Sequence, residues 1–194
     1  GSREIIARYA DYLAHWESQR DSGQYHALRR GFERTTGEIM TWLNADDMLH
    51  RNSLWSLADI FCQLPQVDWV LGLPMLYDDR GRAYVPECKR RWSRYRYLRG
   101  DYQFIQQESV AWRRSLWERA GGDLDTSYRL AADMELWMRF FRHARLYTAL
   151  VLTGGFRKLP QQRSRLHLAE YLREAEQIVA GEPLSPADRA GLAR

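Results

Sequence analysis

The chain has 194 residues, enough for one domain, and 45% of them are hydrophobic, including 8 Trp and 11 Tyr, so a packed core is available. Its 29 basic residues sit among 25 acidic ones for a net charge of +4, which argues against a dedicated nucleic-acid binder. No apolar run reaches the ~20 residues of a membrane-spanning helix, no signal peptide is visible, and Cys62 and Cys88 lack the spacing of a zinc site and point to a reducing compartment.

Ile5, Ile6, Tyr9 and Leu13 recur at helical spacing and predict a helix over 3–14. Asp21 to Gln24 is turn-like, and 25–35 reads as a second helix ending near Gly37. The apolar run Glu38 to Leu43 predicts a central strand. A helix over 52–64 stops at Pro65, and 67–71 is the next strand. Asp78-Asp-Arg-Gly81 marks a hairpin turn before a short strand over 82–86. Residues 87–105 read as basic, aromatic and irregular. A strand follows at 109–112, then a short helix at 115–120 ending on Gly121-Gly122, a stronger helix at 132–143, and a strand at 145–152. Residues 166–179 form a C-terminal helix, and Ser185-Pro186 opens a last one with Ser at the N-cap. Alternation of strands and helices predicts an α/β domain, with ligands bound beyond the carboxyl ends of the strands.

Asn44-Ala-Asp-Asp47 lies at such an end. Adjacent carboxylates repel, and on a turn they can converge on one point. A hard divalent cation removes that repulsion and takes substrate phosphates as further ligands. The alternative is plain capping, in which Asp46 or Asp47 satisfies free N–H groups of the helix that follows. The five histidines form no metal-ligand motif.

Three blocks of sequence resemble glycosyltransferase family 2, enzymes of the GT-A fold. They are Asp21-Ser-Gly-Gln-Tyr-His-Ala-Leu-Arg-Arg-Gly-Phe32 running on to Thr36-Gly-Glu-Ile-Met-Thr-Trp-Leu-Asn-Ala-Asp-Asp47, then Gln107-Glu-Ser-Val-Ala-Trp-Arg-Arg-Ser-Leu-Trp-Glu-Arg-Ala-Gly-Gly122, then Asp133-Met-Glu-Leu-Trp-Met-Arg139. The resemblance covers most of residues 3–165. It implies an α/β GT-A fold, a Rossmann-like, mostly parallel sheet flanked by helices. It divides the chain into a partial transferase domain, 1–165, and a C-terminal helical extension, 166–194.

By the same resemblance, Asp46 and Asp47 bind Mg²⁺ or Mn²⁺ and, through it, the donor diphosphate. Asp133 is the catalytic base, taking a proton from the acceptor hydroxyl in a single inverting displacement. Its alternative is again an N-cap. Gln24, Arg30 and Asn44 fall on the donor side, and Gln107 and Glu108 on the acceptor side. Arg30 stands where the family often has Lys, and a cation there can pair with phosphate or lie on a solvated helix face. Trp112, Trp117 and Trp137, like Trp42, read as core rather than sugar platforms. The implied activity is an inverting, hexosyl-type transfer from a nucleotide sugar to a glycan or lipid-linked acceptor in cell-surface polysaccharide synthesis. The competing reading is an inactive, truncated binding or assembly domain.

The chain departs from the family pattern in three places. Gly1-Ser-Arg-Glu-Ile-Ile resembles the segment just after the family's first strand–helix–strand, so the nucleotide-base half is expected to be missing. A second copy or a partner chain would complete the sheet, or the chain is a fragment. His26 and Arg29 stand where the family has Asp and Asn. Phe156-Arg-Lys-Leu159 has Leu where the family often has a His near the metal. Residues 89–99 mix Lys and Arg with aromatics. A cytoplasmic protein lying peripherally on the inner face of a membrane could use them against anionic lipid or a lipid-linked acceptor; a solvated loop with packed aromatics is the alternative.

Overall fold

The computed structural model describes residues 1–84 and 92–192. The chain forms two compact units, Gly1–Thr36 and Gly37–Arg194.

In the first unit, helix α1 covers Ser2–Ala7, a single tight turn covers Ala10–Tyr12, and α2 covers Gln24–Glu33. The helix expected over 3–14 is therefore cut short at Ala7. Most of its apolar stripe is exposed, at Ile5, Tyr9 and Leu13, with only Ile6 half-buried, and a short helix with so little packed face is marginal in water. Helix α2 starts after Gly23, whose φ of +129° suits glycine and whose N–H donates to Asp21 Oδ1 at 2.9 Å. Tyr25 and Phe32 are its buried residues.

The second unit begins with β1 (Ile39–Met40), β2 (Met48–Leu49), α3 (Ser53–Gln63), β3 (Trp69–Tyr77) and β4 (Ala83–Tyr84). It continues with α4 (Arg94–Leu98), a tight turn over Gln107–Ser109, β5 (Val110–Arg113), α5 (Arg114–Arg119), α6 (Ala132–His143) and β6 (Leu146–Arg157). Three helices close it: α7 (Arg163–Leu166), α8 (Leu168–Ala180) and α9 (Pro186–Leu192). The strands order as β1-β5-β3-β6-β2, with β4 also on β3.

The sheet is mixed rather than mostly parallel. Its longest ladder, β3 with β6, is parallel, from Trp69 opposite Leu146 to Tyr77 opposite Arg157. That pair is joined by a long crossover through α5 and α6, as parallel neighbours require. The pairs β1–β5, β2–β6, β3–β4 and β3–β5 are antiparallel. Between β3 and β4 lies the expected hairpin turn, with Asp78 Oδ1 accepting from the N–H groups of Arg80 and Arg82.

The strand expected to be central over 38–43 is two residues long and sits at the edge of the described sheet. Beyond Met40 its backbone is held by side chains. Thr41 Oγ1 donates to the Val110 carbonyl at 2.8 Å, and Gln107 Nε2 donates to the Trp42 carbonyl at 2.5 Å. The apolar character of the run reflects helices packed on it, not strands on both sides.

Residues alternate between two cores, as the period of a strand requires. Val70 and Ala111 pack with Leu57, Phe61 and Val67 under α3. Their neighbours Trp69 and Trp112 point the other way and meet α6, with Trp137 stacked on Trp42 at 5.7 Å and on Trp69 at 5.6 Å. Trp112 meets Trp42 edge-on at 5.5 Å, and such pairs add about 0.5–1.5 kcal/mol each beyond burial. Trp42, Trp112, Trp117 and Trp137 are all buried, as core residues.

The C-terminal helices belong to the same unit as the sheet. Glu174 of α8 accepts the N–H groups of Arg129, Leu130 and Ala131, which lead into α6. Ser185 and Asp188 exchange hydrogen bonds in a reciprocal cap at the start of α9. The segment expected to be irregular holds α4, capped by Ser93. Its Arg94 pairs with Glu182 and Asp188 at 2.9 and 2.7 Å, and its Arg96 pairs with Asp101. Lys89, Arg90 and Arg91, on which the membrane expectation also falls, lie outside the described residues.

Candidate functional site

Residues Asn44 to Asp47 form a tight turn, with the Asp47 N–H donating to the Asn44 carbonyl at 3.1 Å. The turn closes because the chain must leave β1 and enter β2, which pairs Met48 with Gly155 and Leu49 with Gly154 of β6. Asn44 is its hub. Its Nδ2 donates to Asp47 Oδ2 at 3.1 Å and to Gln107 Oε1 at 3.0 Å, while Gln107 reaches back to the Trp42 carbonyl.

Asp47 is only 8% exposed. Burial pushes its carboxyl above the ordinary range, against the lowering effect of hydrogen bonds from the Arg157 backbone and from Asn44. Asp46 is half-buried. Neither carboxylate caps α3, whose N-cap is Asn52. Asp47 Oδ1 accepts from the Arg157 N–H at 3.2 Å instead, and Asp46 Oδ2 accepts from Gln162 Nε2 at 3.3 Å. The capping reading of this acidic pair is thereby set aside.

Glu108 is 3% exposed. Desolvation above all, with a smaller contribution from the charge of Asp47, pushes its carboxyl up to about 8, against the lowering effect of hydrogen bonds from its own backbone and Ser109 Oγ. At neutral pH it is therefore a neutral acid that can donate a proton as well as accept a hydrogen bond. The backbone of β6 presses against it: a Cβ on Gly154 would stand 2.1 Å from the Glu108 carbonyl oxygen. Only glycine permits that approach, and Thr153 Oγ1 fixes it by donating to the Ser109 carbonyl at 3.2 Å.

The structure thus brings Asn44, Asp46, Asp47, Gln107 and Glu108 together. Asp133 lies in the first turn of α6, where its Oδ1 accepts from the Met134 N–H at 2.9 Å. It does not occupy the N-cap, which is Ala131. Trp137 lies one turn further along α6, on the face that carries Asp133. Its stack on Trp42 ties that face to the strand end leading into the acidic turn. Gln24 and Arg30 lie in the first unit, at the exposed start and on the body of α2. Arg30 is paired with Glu17 at 2.9 Å, so contact with phosphate would replace an existing partner.

Two members of the site were missed. Arg157 Nε donates to the Asp46 carbonyl at 3.1 Å, and Gln162 bonds the Asp46 carboxylate as above. Arg157 had a signal, since Phe156-Arg157 matches the family pattern up to the missing His. Gln162 had none.

Among the described residues no three His, Cys, Asp or Glu side chains converge as metal ligands. The donor set, two carboxylates on one turn, does not form an all-protein cage. It does suit a cation that takes one or two carboxylates and completes its shell with phosphate oxygens and water.

A family model described as Glycosyl transferase family 2 matches residues 1–116. No curated protein sequence gives a significant match. Among solved structures, S. aureus TarS 1-349 in complex with UDP-GlcNAc superposes with a TM-score of 0.71 at 15% identity, over 98% of this chain and 57% of that one. Longer S. aureus TarS gives 0.68 at 15% identity, over 99% of this chain and 34% of that one. Mannosyltransferase PcManGT from Pyrobaculum calidifontis, in complex with GDP-Man and Mn²⁺, gives 0.65 at 18% identity, over 99% and 55%. The fold is the GT-A fold of these transferases, and the chain spans between a third and somewhat over half of their lengths.

Proposed function

Because the chain belongs to glycosyl transferase family 2, we propose that it moves a sugar from a nucleotide-sugar donor to a glycan or lipid-linked acceptor, with inversion at the anomeric carbon. The observation that carries the reading is the bonded set Asn44, Asp47 and Gln107 beside Asp46. It joins two sequence blocks separated by some sixty residues into one polar site at the end of the sheet.

Asp46 and Asp47 would hold Mg²⁺ or Mn²⁺, which when bound neutralises the donor diphosphate as leaving group. Asn44 holds Asp47 in place. Arg157 adds positive charge beside both acids, and the donor's phosphates are the natural counter-ion for its guanidinium. Gln24 and Arg30 are assigned to the donor, and Gln107 and Glu108 to the acceptor. Asp133 takes the proton of the acceptor hydroxyl. That oxygen bonds to the anomeric carbon as the bond from carbon to the diphosphate oxygen breaks, releasing a nucleoside diphosphate. Cell-surface polysaccharide synthesis at the cytoplasmic face of a membrane is the setting we assign to this reaction. Membrane contact there would draw on Lys89, Arg90 and Arg91, because Arg94 and Arg96 are engaged within the protein. A second copy or partner strand that extends the sheet would add beside β1, which ends the strand order among the described residues.

Calorimetric titration with UDP and with GDP, each with and without Mn²⁺, tests this. Wild-type protein is expected to bind one of them in a Mn²⁺-dependent way, and Asp47→Ala to abolish that binding. Equal binding by Asp47→Ala would remove the acidic turn from the site. The silent-domain alternative rests on Leu159 and on the pairing of Arg30 with Glu17. It predicts nucleotide binding without transfer or hydrolysis of any nucleotide sugar.

A further inference from the structure

Gln162 is 8% exposed and sits at the end of the loop that leaves β6. Its amide is fully committed. Oε1 accepts from the Leu159 N–H at 3.1 Å, and Nε2 donates both to the Arg157 carbonyl and, at 3.3 Å, to Asp46 Oδ2. The orientation of the amide follows from its partners, since a flipped amide would set N–H against N–H at Leu159. The same loop grips the turn twice more through Arg157, whose N–H reaches Asp47 Oδ1 and whose Nε reaches the Asp46 carbonyl. Residues 157–162 thus form a bracket over the acidic turn, and Gln162 is the part of it that touches the Asp46 carboxylate. Among the described residues the Asp46 carboxylate accepts a side-chain hydrogen bond at Oδ2 and none at Oδ1, and Asp46 is half-buried.

We infer that Gln162 is a positioning residue for Asp46. By fixing Oδ2 it sets the rotamer of the carboxylate and leaves Oδ1 presented to a divalent cation, so that the cation requirement of the protein depends on an amide far away in sequence. The inference rests on the acidic turn being the cation site proposed above. Groups that orient carboxylate ligands in this way typically change cation affinity about 10–100-fold when removed.

The test is a Mn²⁺ titration of the full chain at fixed UDP, repeated with GDP, for wild type, Gln162→Met and Gln162→Ala. The methionine keeps the length of the side chain without its hydrogen bonds, and the alanine removes both. Both variants are expected to need about 10–100-fold more Mn²⁺ for half-saturation and to regain nucleotide binding at saturating Mn²⁺. Melting temperature without cation provides the structural control. An unchanged Mn²⁺ requirement in both variants overturns the inference, as does a fall in melting temperature with no change in that requirement. Loss of nucleotide binding that saturating Mn²⁺ does not restore also overturns it. Wild-type protein that binds neither nucleotide with Mn²⁺ overturns the reading of the acidic turn itself, and the role of Gln162 with it.

Discussion

Glu108→Gln is expected to flatten the dependence of stability on pH. The Glu108 carboxyl is pushed from its ordinary 4.5 up to about 8 by burial first and by the Asp47 charge second. Between those values the folded chain keeps a proton that the unfolded chain has released. Stability therefore falls as pH rises through this window, because the folded state binds more protons. Each pH unit costs about 1.4 kcal/mol, so the full interval from about 4.5 to about 8 is worth on the order of 5 kcal/mol. The burden is absent below pH 4.5 and complete above pH 8. Glutamine keeps the shape and the acceptor toward Ser109 Oγ and carries no titrating proton. Urea unfolding at pH 5, 6, 7, 8 and 9 should give nearly equal stabilities for the two proteins at pH 5. By pH 8 the variant should be the more stable by several kcal/mol. Parallel stability curves across that range would refute the assignment of a proton to the buried carboxyl.

Asp133→Asn should keep Mn²⁺-dependent nucleotide binding and lower sugar transfer by about 10²–10⁴-fold; turnover near the wild-type rate would rule out its role as base. Arg94→Ser should lower the melting temperature by roughly 5 °C, because buried Glu182 then keeps only Arg142 of its two guanidinium partners. An unchanged melting curve would show that the contacts of α4 with residues 182–188 contribute nothing to stability.

The sequence carried the acidic turn and its immediate partners well. Asp46 and Asp47 lie within one short block, and Gln107 and Glu108 open another, so local pattern was enough to nominate them. It also placed the helix of Trp137 and the hairpin at Asp78 within a residue or two. It misjudged the run over 38–43, because an apolar strand covered by helices on its faces and one flanked by strands look alike in sequence. It could not show that β3 meets β5 antiparallel and β6 parallel, since direction depends on which strands become neighbours. The two-residue β2 carries too little pattern to detect. Arg157 and Gln162 reach the acidic turn from more than a hundred residues away, across a contact that only the β2–β6 pairing creates. The fates of Arg30 and Arg94 were equally hidden, because an exposed cation and one tied to a distant carboxylate are the same letter in a sequence.

The indole of Trp42 lies among the rings of Trp112 and Trp137, while its carbonyl, two residues before Asn44, receives the amide of Gln107. One residue is thus both keystone of the interior and hinge-pin of the polar cluster. The cluster is therefore expected to melt with the interior: on warming, loss of Mn²⁺-dependent nucleotide binding and loss of fold should trace a single curve. Attempts to toughen the protein by refilling its aromatic interior would, for the same reason, shift the polar cluster around Asn44 and Asp47.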